Sequence, residues 1–234
     1  MLDIRGFQKF SLVEWPGKMS AIIFTGGCNF RCPFCHNPEL VIELDQVPTY
    51  PWQEIEDFLN KKVGWIDAII ITGGEPTIHP ELPQVFEKIK NKGYLTGIAT
   101  NGTNPEMLKE LIEKKLLDKI AMDIKSSPEK YDLATGRENV DFEKIKESIS
   151  LIKKSGIAYD FKITLAPDVV KKEDMVNIGN LIRGAEKVTL QQFRPLKTLD
   201  KNWMNKVPYA VDEIKEMKEI LEGYVDMVSL EFIE

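Results

Sequence analysis

The chain has 234 residues, 43% of them hydrophobic, with 31 basic against 37 acidic side chains, which suits one domain with a large buried core. The apolar fraction is too high and the net charge of -6 too modest for a disordered chain, and no apolar run approaches the roughly 18 to 20 residues that span a bilayer. An acidic balance supplies no global attraction for phosphate backbones, so neither nucleic acid nor a membrane is an expected partner.

Residues 2–18 mix charges and aromatics without a basic segment followed by an apolar stretch, so no secretory signal is read and the expected address is cytoplasmic. This stretch is expected to form a small hairpin, an extension over residues 1–18, ahead of the main α/β body over 19–234; the whole reads as a single domain. Short β-branched runs then predict strands at 21–25, 68–72, 95–99, 119–124, 159–165 and 187–193, with a last one at 228–232. Amphipathic stretches between them predict helices at 52–61, 81–91, 105–116, 142–154, 171–183 and 210–223. Asn104 before Pro105 reads as an N-cap with a first-turn proline, and Asp141 as a candidate N-cap. Phe142, Ile145, Ile149 and Ile152 form one apolar stripe behind it.

Near-continuous apolar strands such as Ala68–Ile69–Ile70–Ile71 imply a sheet covered on both faces, as parallel βα units produce. Six units predict an α/β fold, a barrel or part of one, whose active site lies at the C-terminal ends of the strands. The unusual residues cluster there. The first four strands run into Gly26–Gly27–Cys28, Gly73–Gly74–Glu75–Pro76, Thr100–Asn101–Gly102, and Asp123 with Lys125. The first and fourth units are the longest and carry loops over about 26–50 and over 126–140.

The chain has only three cysteines, Cys28, Cys32 and Cys35. An odd number packed into one short loop cannot be a disulfide framework. Three thiolates can hold three corners of an iron-sulfur cube and leave one iron open. The alternative is zinc, with His36 as a fourth ligand, although structural zinc loops usually place two ligand pairs on separated knuckles.

Cys28-Asn-Phe-Arg-Cys32-Pro-Phe-Cys35 resembles the Cys-x3-Cys-x2-Cys signature of the radical S-adenosylmethionine superfamily, with Phe34 as the aromatic before the third cysteine. His36–Asn37–Pro38 narrows the likeness to the activating enzymes of glycyl radical enzymes. Gly6-Phe7-Gln8-Lys9 and Ser11–Leu12–Val13–Glu14–Trp15–Pro16–Gly17–Lys18 resemble the activases of anaerobic ribonucleoside-triphosphate reductase more than those of pyruvate formate-lyase. The resemblance implies a partial (βα)6 TIM-like barrel of the radical SAM type, with a [4Fe-4S] cluster on the three cysteines near its mouth, the open iron chelated by the methionyl part of S-adenosylmethionine. It also implies reductive cleavage of that ligand, and hydrogen abstraction from a glycine Cα of a partner glycyl radical enzyme. The partner would be anaerobic ribonucleotide reductase, and the electron would come from a donor such as flavodoxin or ferredoxin.

The same resemblance implies that Gly73, Gly74, Glu75 and Pro76 receive the methionyl amino group, with backbone approaching the ligand closely and Glu75 adding an acceptor. Phe34 and His36 would lie by the adenine, and Lys125, beside Asp123, would meet the carboxylate; an ordinary ion pair at the barrel rim is the other reading of that couple. Thr100 and Asn101 follow the third strand. Ala99 stands where relatives have an aspartate that helps hold a monovalent cation, which puts such a site in doubt. Lys162 and Arg194 occupy places of polar or basic ligand contacts in relatives. His79 reads as a loop residue, and Tyr131, Gly136 and Arg137 mark the fourth loop as a docking surface or a solvated loop. The rival functions are a small-molecule radical enzyme such as 7-carboxy-7-deazaguanine synthase and a non-enzymatic iron-sulfur or zinc module.

Overall fold

A computed structural model describes residues 2–233. One sheet of eight strands runs through it in chain order: β1 (Ile4–Ser11), β2 (Ser20–Thr25), β3 (Ala68–Gly73), β4 (Leu95–Thr100), β5 (Lys119–Asp123), β6 (Ala158–Leu165), β7 (Val188–Gln192) and β8 (Val228–Glu231). Strands β2 to β8 are mutually parallel, while β1 pairs antiparallel with β2, Phe7 opposite Ile23. Among the described residues β1 and β8 do not pair with each other, so the barrel stays open.

The helices are α1 (Glu39–Ile42), α2 (Trp52–Lys62), α3 (Leu82–Lys90), α4 (Pro105–Glu113), α5 (Tyr131–Thr135), α6 (Phe142–Lys154), α7 (Met175–Leu181) and α8 (Val211–Glu222). α2, α3, α4, α6, α7 and α8 are the crossovers between successive parallel strands. Their apolar stripes, such as Ile145, Ile149 and Ile152 of α6, are buried against strands whose own residues Ile69, Ile71, Ile120, Phe161 and Ile163 are fully inaccessible. Burial on both sheet faces explains why β3 reads as an uninterrupted apolar run.

Local chemistry sets most boundaries. Asn104 caps α4 by accepting from the Met107 amide at 3.1 Å. α4 stops at Glu113, before the expected 116, because Lys115 takes a left-handed φ of 56° and the Leu116 amide turns back to the Leu111 carbonyl at 2.9 Å. Asp141 sits at the N-cap of α6 but makes no side-chain capping bond, so the buried stripe holds that helix. The single helix expected at 171–183 is divided. Asp174 ends a short 3-10 turn and is buried, its carboxylate taking the Lys171 amide and the Lys130 ammonium.

Residues 2–18 differ most from expectation. They do not form a separate hairpin over the sheet, because β1 is an integral edge strand. The following turn brings Trp15 against Gly97 and puts the Lys119 ammonium 2.7 Å from the Glu14 carbonyl, where β5 begins. No helix among the described residues is long and apolar enough to cross a membrane.

Candidate active site

β2 and β3 lie side by side with Thr25 opposite Gly73, and their ends are tied by backbone bonds. The Gly74 amide donates to the Thr25 carbonyl at 2.9 Å and the Glu75 amide to the Gly27 carbonyl at 2.8 Å. Gly73 has a φ of 122°, and a Cβ there would strike the Thr25 backbone; one on Gly74 would strike the Gly27 carbonyl. The two glycines are therefore required by the close approach of strand end to cysteine loop, one residue before Cys28.

The loop that carries the cysteines is held on both sides. On one side Asn29 receives the Asn101 side-chain amide at 2.8 Å and donates to the Thr103 hydroxyl at 2.7 Å. On the other, the Arg31 amide donates to the Thr135 carbonyl at 2.7 Å and the Arg137 guanidinium to the Asn29 carbonyl at 2.8 Å. Gly136 closes α5 in the left-handed region with its Cα facing the Arg31 carbonyl. Tyr131, Gly136 and Arg137 of the fourth loop thus brace the cysteine loop, while Leu133, Gly136 and Arg137 themselves stay exposed on the surface.

A cavity of about 190 Å³ opens at this end of the barrel, and Cys28, Cys32 and Cys35 all line it. The backbone at Gly73, Gly74 and Glu75 forms an adjoining wall, with Thr100 and Asn101 from the end of β4 and Asp123 and Lys125 from the end of β5. Phe34 and His36 complete it. Phe34 is buried with its ring 5.5 Å from that of Trp203. His36 stacks near Phe193, and its Nε2 lies 3.0 Å from the Arg194 carbonyl, which assigns the proton to that nitrogen. Burial lowers the pKa of His36, favouring the neutral ring.

Four expected site residues stand differently. The Glu75 carboxylate is 1% exposed and already accepts four bonds: from the Thr77 amide and hydroxyl, the Thr100 hydroxyl and the Asn101 amide. Burial pushes its pKa up, while those donors favour the ionised form. Its side chain is a brace joining the ends of β3 and β4, and only its backbone is left to meet a ligand. Pro76 starts a buried 3-10 turn and is not on the cavity wall. Lys162 lies deeper in the barrel between Glu231 at 3.6 Å and Glu14 at 4.0 Å, outside the cavity. Arg194 is not on the wall of this cavity: its guanidinium lies over the Phe232 ring, its carbonyl meets His36, and with His36 it lines an adjoining pocket.

Burial pushes the Cys28 thiol up to about 11 and the Cys32 thiol up to about 12, and raises Cys35 as well. Three such thiols become thiolates together only beside a strong positive charge, which bound iron supplies. Burial works against charge on Lys125, but Asp123, at 2.8 Å, and the Cys32 and Cys35 positions more than offset it and hold the ammonium charged. Among the described residues no three Cys, His, Asp or Glu side chains converge on a single ion. His36 does not converge with the cysteines on such a point either, and its Nε2 bonds the Arg194 carbonyl. The donor set fits a multi-iron cluster better than tetrahedral zinc. Asn29 and Thr77, which tie these walls together, were not singled out by sequence, since a lone Asn or Thr carries no pattern of its own.

The model of the Radical SAM superfamily matches residues 22–183. The chain belongs to the radical SAM superfamily. It is an enzyme of that type, and its cofactors are a [4Fe-4S] cluster and S-adenosylmethionine. A protein of Methanocaldococcus jannaschii provisionally named a glycyl-radical enzyme activating enzyme is 33% identical over 98% of this chain and 96% of its own length. The pyruvate formate-lyase-activating enzyme of Streptococcus mutans is 25% identical over 91% of this chain and 84% of its length. Within the superfamily, then, this radical SAM protein groups with glycyl-radical enzyme activating enzymes. Among solved structures, SuiB of Streptococcus suis bound to S-adenosylmethionine superposes with a TM-score of 0.66 at 14% identity. That likeness, over 89% of this chain and 51% of SuiB, concerns the fold.

Proposed function

We propose that this protein activates a glycyl radical enzyme, most specifically an anaerobic ribonucleotide reductase. The observation that carries the reading is the convergence of three cysteines from one braced loop with the Gly73–Glu75 strand end and the Asp123–Lys125 pair around a single cavity. Cys28, Cys32 and Cys35 would hold three irons of the cluster. When bound, the cluster and S-adenosylmethionine supply reductive cleavage of the sulfonium and a carbon radical able to take hydrogen from a glycine Cα. The Gly73–Glu75 backbone offers carbonyl groups to the methionyl ammonium, and the Lys125 ammonium, steadied by Asp123, offers a charge-assisted bond to the carboxylate. Phe34 and His36 present an aromatic edge to the adenine and limit the access of water.

No general base is needed for hydrogen-atom abstraction, in keeping with a chain that has only two histidines. His79 bonds the Gly26 carbonyl at 2.8 Å, supporting the loop. The choice of ribonucleotide reductase rests on the segments Gly6–Lys9 and Ser11–Lys18; the pyruvate formate-lyase-activating relatives favour that lyase as the second reading. A flavodoxin or ferredoxin would supply the electron.

The test is anaerobic. Protein reconstituted with iron and sulfide, then reduced, is expected to release 5′-deoxyadenosine from S-adenosylmethionine and to raise a glycyl radical signal on the reductase. A radical on the lyase alone would favour the second reading. Cleavage with no radical on either would remove the activase role, and absence of cleavage by a loaded, reduced cluster would contradict the reading altogether.

A further inference from the structure

Tyr131 opens α5 and lies behind the cysteine loop, off the cavity wall. Its ring packs edge-on to Phe142 at 5.1 Å and Phe30 at 6.5 Å between centroids. The residue is 2% exposed, and its hydroxyl makes no hydrogen bond of normal geometry; the Lys125 backbone amide faces the phenol oxygen, but the O–H itself has no acceptor. Buried hydroxyls are normally paired, so this one has a partner missing from the polypeptide itself. Its electrostatic neighbours are Lys125, Cys32 and Asp123, all facing the cavity, and burial raises the phenol pKa, which keeps the O–H as a donor.

Of these neighbours, Lys125 has no lone pair to offer, and the Asp123 carboxylate takes the Lys125 ammonium and not the hydroxyl. Cys32 in the iron-free protein is a buried neutral thiol, a weak acceptor that becomes a strong one as a thiolate ligand. The helix that Tyr131 begins also holds the loop between Cys28 and Cys32: the Thr135 hydroxyl donates to the Tyr131 carbonyl at 2.8 Å, and the Thr135 carbonyl takes the Arg31 amide.

We propose that the Tyr131 hydroxyl donates a hydrogen bond to the Cys32 sulfur once that sulfur ligates the cluster, making Tyr131 a positioning residue that raises the cluster's reduction potential. A donor to a cluster sulfur stabilises the more negative, reduced state, so the potential rises when the bond is present. The proposal rests on the cluster assignment of the preceding subsection.

The test compares reconstituted wild type with Tyr131→Phe, which keeps the ring and its packing. The expected result is equal iron and sulfide per chain, a midpoint potential shifted to more negative values, and loss of one exchangeable deuteron coupling from the reduced cluster in D2O. Phe142→Leu, which loosens the same ring without touching the hydroxyl, is expected to lower thermal stability and leave the potential in place. An unchanged potential and deuteron spectrum in a fully loaded Tyr131→Phe protein would overturn the proposal. So would a Phe142→Leu shift as large as that of Tyr131→Phe, or a Tyr131→Phe protein that no longer loads iron. A wild-type protein that binds no cluster would instead break the underlying reading, a distinct outcome.

Discussion

The mouth of the barrel and the interior beneath it both bury charged side chains, yet they use them in opposite ways. Below the cavity, Lys162 sits between Glu14 and Glu231, Lys187 meets Asp160 at 3.1 Å, and Asp160 also takes the Thr189 hydroxyl. Each of these charges has its counter-charge within the fold. At the mouth, Glu75 and the Asp123–Lys125 pair are satisfied, but three thiols and the Gly73–Gly74 backbone remain turned toward open space. Charge alone marks neither region as a site; polar groups facing a cavity rather than each other do.

That contrast can be broken first by replacing Cys32 with alanine. One cluster ligand disappears, and iron and sulfide content after reconstitution should fall to near background; a Cys32→Ala protein that loads fully would contradict the ligand set. Gly74→Ala comes next. Its Cβ meets the Gly27 carbonyl, so the end of β3 or the entry to the cysteine loop must shift. The cost is roughly 2–4 kcal/mol of stability, with at least a tenfold loss of S-adenosylmethionine cleavage in whatever protein remains folded. Thermal unfolding and product release check both parts.

The smallest effect belongs beneath the mouth. Lys162→Met leaves Glu14 and Glu231 without their shared cation, at a cost of about 1–2 kcal/mol because both carboxylates are partly solvated. Cleavage of S-adenosylmethionine per loaded cluster should stay within about twofold of wild type, twofold being roughly 0.4 kcal/mol. A large drop in activity without a drop in stability would place Lys162 in the site although it lies off the cavity wall.

The order of strands and crossover helices was legible because each strand is an apolar run and each helix a periodic stripe, patterns that burial on both sheet faces imposes directly. What escaped was long-range and side-chain specific. Nothing local in 2–18 says that Ile4–Ser11 joins the sheet edge, since an edge strand half open to solvent has no continuous apolar signature. The left-handed turn at Lys115 shortens α4 without a glycine to announce it.

At the site, the three cysteines, the glycine pair and the Asp123–Lys125 couple were legible because their types are chemically rare in combination. The buried role of the Glu75 carboxylate was not, because its partners Thr77, Thr100 and Asn101 come from two separate strand ends. Lys162 and Arg194, placed by analogy of position, lie off the cavity wall: one sits between Glu14 and Glu231, the other holds its guanidinium over Phe232 beside an adjoining pocket.

The central claim is that the three-cysteine loop and the Gly73–Lys125 wall form one site in which an open iron meets S-adenosylmethionine. The most direct measurement is the electron paramagnetic resonance spectrum of the reconstituted, reduced protein with and without S-adenosylmethionine, alongside iron and sulfide analysis. The account predicts about four irons and four sulfides per chain, the content of one cubane cluster, and a spectrum that changes when the ligand is added. A fully loaded cluster whose spectrum is indifferent to S-adenosylmethionine would contradict it.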